Sequence, residues 1–372
     1  MDQRTAPPTF PTPPVPLVRA LERVRHYLYR LNQKLVPAPL AMTELIMGHM
    51  PPQAIAAAAE LRLADALADG PLPGDELARR VGANPAALAR LLRALISRGI
   101  FRELRDGRYA LTPLAGTLRS DAPVSLASWA RFYGSPEYRE FWSLLVDAVR
   151  TGQSVVPSLK GTDPFSYLAE NPKLAALFND GMTAISEVTA ASIVAAYDFG
   201  RFPVIVDVGG GQGRLLAAIL AATPSAHGVL YDLPNVVTGA PAVLERDGVN
   251  DRVRIEGGSF FASVPAGGDA YVLQRVIHDW DDEAAQTILR NIAAAAPDQA
   301  TLLLVEMVIP RHHREFAGNW ADLDMLVLAE GRERTAEQHR ELLRRSGFHL
   351  TRIIETALPF CIIEASPIKR DA

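Results

Sequence analysis

The chain has 372 residues, 48% of them hydrophobic, with a formal net charge of −4. That length exceeds one ordinary domain and suits two, and the mildly acidic balance gives no general attraction to nucleic acid or anionic membranes. A single cysteine, Cys361, excludes an internal disulfide, a cysteine-based zinc site and a thiol redox pair.

In chain order, Pro7, Pro8, Pro11, Pro13, Pro14 and Pro16 predict an extended tail. The start shows no signal-peptide core and no apolar run is as long as a membrane span, so a reducing cytoplasm is expected. Residues 17–36 predict an amphipathic helix. Leu17, Leu21, Val24, Leu28, Leu31 and Leu35 share one face, with Arg19, Arg23, Arg25, Arg30 and Lys34 off it. An arm packing on the body or on a second subunit is favoured over a membrane-surface helix. Residues 1–40 are thus tail and arm.

Residues 41–120 form the next unit. Helices are expected over Ala54–Leu67, Gly74–Gly82 and Pro85–Ser97, with Asn84 as N-cap and Pro85 at the first helical position. A hairpin turns at Asp106-Gly107. Two helices and a hairpin spell a winged helix. Its last helix offers only Arg90 and Arg93 among apolar residues, which suits burial or dimerisation better than a DNA groove. Residues 121–200 are helical and aromatic. Phe132 and its neighbours wall a substrate pocket or fill a core.

From residue 201 to 372 strands alternate with helices. Strands are expected near 203–208, 227–231, 252–256, 269–275, 301–308, 348–355 and 359–365, and helices near 213–222, 235–247, 282–296 and 335–346. This is a doubly wound α/β domain whose last two strands pair antiparallel. Its opening is Asp207-Val-Gly-Gly-Gly-Gln-Gly213 between the first strand and helix. The spacing is one residue short of the dinucleotide fingerprint, and no Lys-Ser/Thr follows as in a P-loop. Asp207 just before the turn suits a ligand with cationic groups and no phosphate, such as S-adenosylmethionine (SAM). Asp232, ending the second strand, can accept from ribose hydroxyls; NAD enzymes share that feature.

His278 follows the fourth strand at the sheet edge where such folds bind ligands. With an ordinary pKa of about 6.5 it suits general-base work near neutrality. Glu306 ends the fifth strand, Leu302–Glu306, at the same edge, and Glu333 lies just before a helix. A carboxylate beside His278 would orient its ring; the alternative for Glu333 is charge compensation at a helix N-terminus. His312 and His313 lack metal-ligand spacing and are expected to be solvated, and no metal is expected.

Asp207-Val-Gly-Gly-Gly-Gln-Gly213, Tyr231-Asp-Leu-Pro234, His278-Asp-Trp280, Glu306 and Gly331-Arg-Glu-Arg-Thr335 together resemble the SAM-dependent O-methyltransferases of the caffeate and acetylserotonin type, bacterial members included. The resemblance spans roughly residues 40–368. It implies a Rossmann-like SAM-methyltransferase domain, an N-terminal winged-helix dimerisation domain and an intertwined homodimer. By resemblance Asp207, Gly209, Gly211 and Asp232 bind SAM, with Ser259, Phe260 and Gln274 around it and Phe178, Met182 and Ser186 covering it. His278 is the base, flanked by Glu306 and Glu333, and Trp280, Met325, Phe132 and Asn319 line the acceptor pocket. Ser259 stands where many relatives have an acid, and Gln274 where plant members have a lysine. The implied activity is methyl transfer from SAM to a hydroxyl of a small aromatic or polyketide-like acceptor. The alternatives are a relative of the same fold that binds SAM for hydroxylation or decarboxylation, and a ligand-sensing regulator.

Overall fold

A computed structural model of the protein describes residues 13–312, 314 and 316–368. The tail expected at Pro7, Pro8 and Pro11, and His313, lie outside the described residues. The chain divides into two compact units. One comprises Tyr27–Ser143 and Phe165–Ile185; the other comprises the described residues of Met1–His26, Leu144–Pro164 and Ser186–Ala372. Residues 121–200 are therefore shared between the units.

The expected arm is a helix, Val15–Lys34, that buries none of its residues. Leu17, Leu21, Val24, Leu28 and Leu31 stay exposed along it. Arg19 ties its first half to Glu355 at 3.3 Å.

In the first unit, helices Gly74–Val81 and Pro85–Ile96 meet at Gly82. The Asn84 side chain accepts from the Ala87 amide at 3.0 Å, capping the second helix; such a cap contributes about 1 kcal/mol. Strands β1 (Leu72–Pro73), β2 (Phe101–Glu103) and β3 (Arg108–Leu111) form a sheet in the order β1-β3-β2. Leu63, Leu67, Leu77, Leu88, Leu92, Leu95 and Phe101 fill the core, each contributing roughly 1.5–3 kcal/mol on burial. The helix expected over 54–67 is broken. Met50–Glu60 ends before Arg62, which is left-handed (φ 52°), and a new turn, Leu63–Ala66, follows. The break turns Leu63, Ala64 and Leu67 into the core. In this unit Phe132 packs against Tyr133, Tyr138 and Phe178, its ring centre 5.4 Å from that of Phe178.

The second unit is built on an eight-stranded sheet. Its strands are β4 (Val204–Val208), β5 (His227–Asp232), β6 (Val253–Gly257), β7 (Ala270–Gln274), β8 (Thr301–Ile309), β9 (Arg334–Thr335), β10 (Phe348–Glu355) and β11 (Phe360–Pro367). The order is β10-β11-β8-β7-β4-β5-β6, with β9 pairing alongside β8. β6, β5, β4, β7 and β8 are parallel, and β11 runs antiparallel between β8 and β10. β4 reads Val-Ile-Val-Asp-Val because both faces are covered. Ile205 joins the core with Ile193, Leu216 and Leu244; Val206 and Val208 join the opposite one with Ile288, Leu289 and Leu343. Chain order reverses at β4, with β5 on one side and β7 on the other, so the carboxyl ends of these strands frame the ligand crevice of such sheets.

Candidate active site

At the end of β4 the chain turns through Gly209 and Gly211, whose φ values of +69° and +60° disfavour any side chain. A Cβ on Gly209 would stand 2.7 Å from Val276 Cγ2, whereas one on Gly211 would meet nothing within 4 Å. The first glycine is thus needed for packing, and the second faces open space. The Gly211 amide donates to Asp232 Oδ2 at 2.8 Å and the Leu233 amide to Oδ1 at 2.6 Å, so Asp232 ties the turn to β5. Burial raises the Asp232 pKa against those two hydrogen bonds. Asp207 is only 1% exposed, and no side chain hydrogen-bonds to its oxygens; the Leu216 backbone alone counteracts its burial. Burial, then the charge of Asp232, pushes its pKa up to about 7.

β7 leads into a second feature. Arg275 takes a left-handed conformation (φ 55°), a strained geometry for a non-glycine residue. It redirects the chain into the short turn Ile277–Asp279, which carries His278. His278 is buried, and its Nδ1 lies 2.7 Å from Glu333 Oε1. With Nδ1 engaged by Glu333, Nε2 is the nitrogen left for proton exchange. Asp279 Oδ1 sits 3.4 Å from that Nε2. Glu306 Oε1 accepts from the amides of Val276 at 3.3 Å and Ile277 at 3.0 Å. The Glu333 amide donates to Asp322 Oδ1 at 2.9 Å.

Burial alone would depress the His278 pKa, but Asp279, Glu333 and Glu306 outweigh it and raise the pKa to about 9. The ordinary value expected from sequence is thereby displaced towards alkaline pH. Burial raises Glu306 to about 7 and moves Asp279 in the same direction. His278, Glu306 and Glu333 also bring one ligand-type atom each within 4.8 Å of one another, the arrangement among the described residues that could hold a metal ion.

Phe260 lies beside Gly209, 3.5 Å from the position of its missing Cβ, and its ring is edge-on to Trp280 with centres 6.1 Å apart. Ser259 and Gln274 have structural partners: the Ser259 hydroxyl accepts from the Phe261 amide at 3.3 Å, and Gln274 Nε2 donates to Thr189 Oγ1 at 2.9 Å. Ser186 and Met182 lie half-buried on the helix Pro172–Ala196. Met325 is buried and Asn319 exposed on the helix Ala317–Leu328. Phe132, Phe178 and Met182 belong to the first unit. Glu306 does not end its strand, because β8 runs three residues further, to Ile309, with Met307 paired to β11 and Val308 and Ile309 to β9. Sequence reasoning also missed Asp279, although it stood inside the quoted His278-Asp-Trp280 motif.

The glycine-turn edge fits SAM in chemical character. A buried and a half-buried acid, both with raised pKa values, favour positive charge, as on a sulfonium and an ammonium. The open space at Gly211 admits a ligand against the backbone, and Phe260 offers an aromatic face.

Comparison with known proteins agrees. The family pattern of the O-methyltransferase domain matches residues 142–349, and that of the O-methyltransferase dimerisation domain matches residues 43–121. The chain is 41% identical to phenazine O-methyltransferase PhzM of Lysobacter antibioticus, over 90% of this chain and 97% of the relative. The solved structure of LaPhzM superposes with a TM-score of 0.86 at 41% identity, covering 90% of this chain and all of that one (100%). The O-methyltransferase NcsB1 from neocarzinostatin biosynthesis, solved with SAM and 2-hydroxy-5-methyl naphthoic acid, gives a TM-score of 0.72 at 34% identity over 85% of this chain and 96% of that one. With its Rossmann-like sheet and helical dimerisation domain, the chain belongs to the SAM-dependent O-methyltransferases.

Proposed function

We propose that the enzyme methylates a hydroxyl of a small aromatic acceptor with His278 as general base. The observation that carries this reading is the buried His278–Glu333 pair at the carboxyl edge of the sheet, with Nε2 turned from Glu333 towards Asp279. SAM, when bound, supplies an electrophilic methyl group and leaves as a neutral thioether. His278 takes the acceptor's proton on Nε2 as the oxygen bonds to that methyl carbon. Glu333 holds the ring through Nδ1 and stabilises the imidazolium that forms; Glu306 adds charge and anchors the turn through two amides. Positioning supplies much of the rest of the acceleration.

Gly209, Gly211, Asp207 and Asp232 would hold the cofactor, with Phe260 against its adenine. Ser259, Gln274 and Ser186 are proposed around it, and Trp280, Met325 and Asn319 around the acceptor. An aromatic acceptor accords with the naphthoic acid bound to NcsB1 and the phenazine named for PhzM. Incubation with methyl-labelled SAM and a panel of phenols tests the activity: labelled ethers are expected, and no transfer to any hydroxyl would contradict it.

We further infer an obligate homodimer through residues 41–120 and the Val15–Lys34 arm, working in the cytoplasm. The unburied apolar face of the arm supports this. Sedimentation at micromolar concentration should give twice the chain mass of 40.4 kDa; a monomer would contradict it.

A further inference from the structure

Of the motif Gly331-Arg-Glu-Arg-Thr335, the reading above uses only Glu333. Its neighbour Arg334 is 1% exposed and among the largest fully buried side chains. Nη1 donates to the Ile277 carbonyl and Nη2 to the Trp280 carbonyl, both at 2.9 Å. These carbonyls bracket His278 on both sides. Nε and Nη2 also reach Asp282 Oδ1, at 3.1 and 2.8 Å. One planar guanidinium therefore joins the segment carrying His278 to the segment carrying Glu333. The approach is close throughout: a Cβ on Gly331 would lie 1.9 Å from the His278 carbonyl oxygen and 2.4 Å from the Asp279 carbonyl carbon.

A buried guanidinium is costly to desolvate, and a packed apolar side chain often holds two segments as well. What an apolar residue cannot do is fix two carbonyls at set directions. Five donors in a rigid fork can do so, and the three donors of a lysine ammonium cannot reproduce the pattern. The constraint falls beside a side-chain pair whose Nδ1–Oε1 distance is 2.7 Å, where small displacements loosen the geometry needed for proton transfer.

We propose that Arg334 is a positioning residue for proton removal, setting the His278–Glu333 hydrogen bond by clamping the Ile277 and Trp280 carbonyls. The proposal rests on the general-base reading of His278. The test compares His278→Gln, Glu333→Gln, Arg334→Lys and the double variant Glu333→Gln/Arg334→Lys in the full chain, measuring kcat and the SAM dissociation constant. Arg334→Lys should lower kcat about tenfold or more, with SAM affinity changed by less than about threefold. Residues acting through one interaction are not additive, so the double variant should be within about threefold of Glu333→Gln alone. A loss in the double variant equal to the product of the single losses overturns the proposal, as does a parental kcat for Arg334→Lys. If Arg334→Lys does not fold, Asp282→Asn loosens the same clamp at a partly exposed side chain; with Glu333→Gln it should show the same non-additivity, and multiplying losses again overturn the proposal. A parental rate for His278→Gln overturns both this proposal and the base reading, whereas a slow His278→Gln with multiplying losses overturns this proposal alone.

Discussion

Two acidic centres at the carboxyl edge of the sheet differ in whether they contain their own cation. Asp207 and Asp232 have no arginine, lysine or histidine hydrogen-bonded to them among the described residues; backbone amides alone hold Asp232, and Asp207 has no side-chain partner. Asp279, Glu306 and Glu333 surround a histidine whose pKa they raise to about 9. The first centre is short of positive charge and suits a cationic ligand. The second already stores a proton and suits a group that gives and takes one. Damage to the first should therefore be read in binding, and damage to the second in rate and pH dependence.

The largest effect is expected at the second centre. His278→Gln keeps much of the shape but cannot accept a proton, so the methylation rate should fall about 100- to 10,000-fold. SAM affinity, measured by calorimetry, should stay nearly unchanged. A parallel loss of SAM binding would erase the contrast between the centres.

At the first centre, Gly211→Val places a branched side chain in the open space and strains a φ of +60°. SAM binding should weaken at least about 100-fold. Gly211→Asn, which tolerates left-handed backbone better, should keep the fold and still bind SAM poorly. Wild-type affinity in a folded Gly211→Asn variant would show that the ligand does not use this space.

A smaller effect separates stability from function. In the fold Asp207 keeps its proton up to about pH 7, well above the ordinary carboxylate range. Stability therefore falls as pH rises from about 4 through 7, because only the unfolded chain ionises freely. Asp207→Asn removes that penalty, so the ligand-free enzyme should melt at least about 2 °C higher at pH 8.5, and the gain should shrink on acidification through that window. SAM should bind the variant more weakly. A lower melting temperature at pH 8.5 would mean that the carboxylate is compensated in the fold.

The first centre was readable in the sequence because it is local. Strand, acid, glycines and helix follow one another over Val204–Ala222, and Asp232 ends the next strand. The second centre was readable only in its parts. His278, Glu306 and Glu333 come from segments tens of residues apart, and packing alone decides that Nδ1 meets Glu333. The raised His278 pKa is a sum of three neighbouring charges, of which only Asp279 lies beside it in the sequence. Arg334 reads as an ordinary surface arginine until the fold buries it. The helix Ala317–Leu328 escaped prediction because Gly318, Asp322 and Asp324 interrupt an otherwise apolar run and leave no clear polar face. The two-residue strands β1 and β9 are too short to show periodicity.

The central claim is that His278 takes the proton, and the rate of methyl transfer against pH at saturating SAM tests it most directly. Two acceptors are compared: a phenol that stays protonated across the range, and one already ionised by pH 6. For the first, the rate should rise with pH along a limb governed by His278, whose pKa in the free enzyme is about 9. The ionised phenol should lack the limb, and His278→Gln should remove it for the protonated phenol. The same rising limb in parent and variant would contradict the account and leave His278 without a part in proton removal.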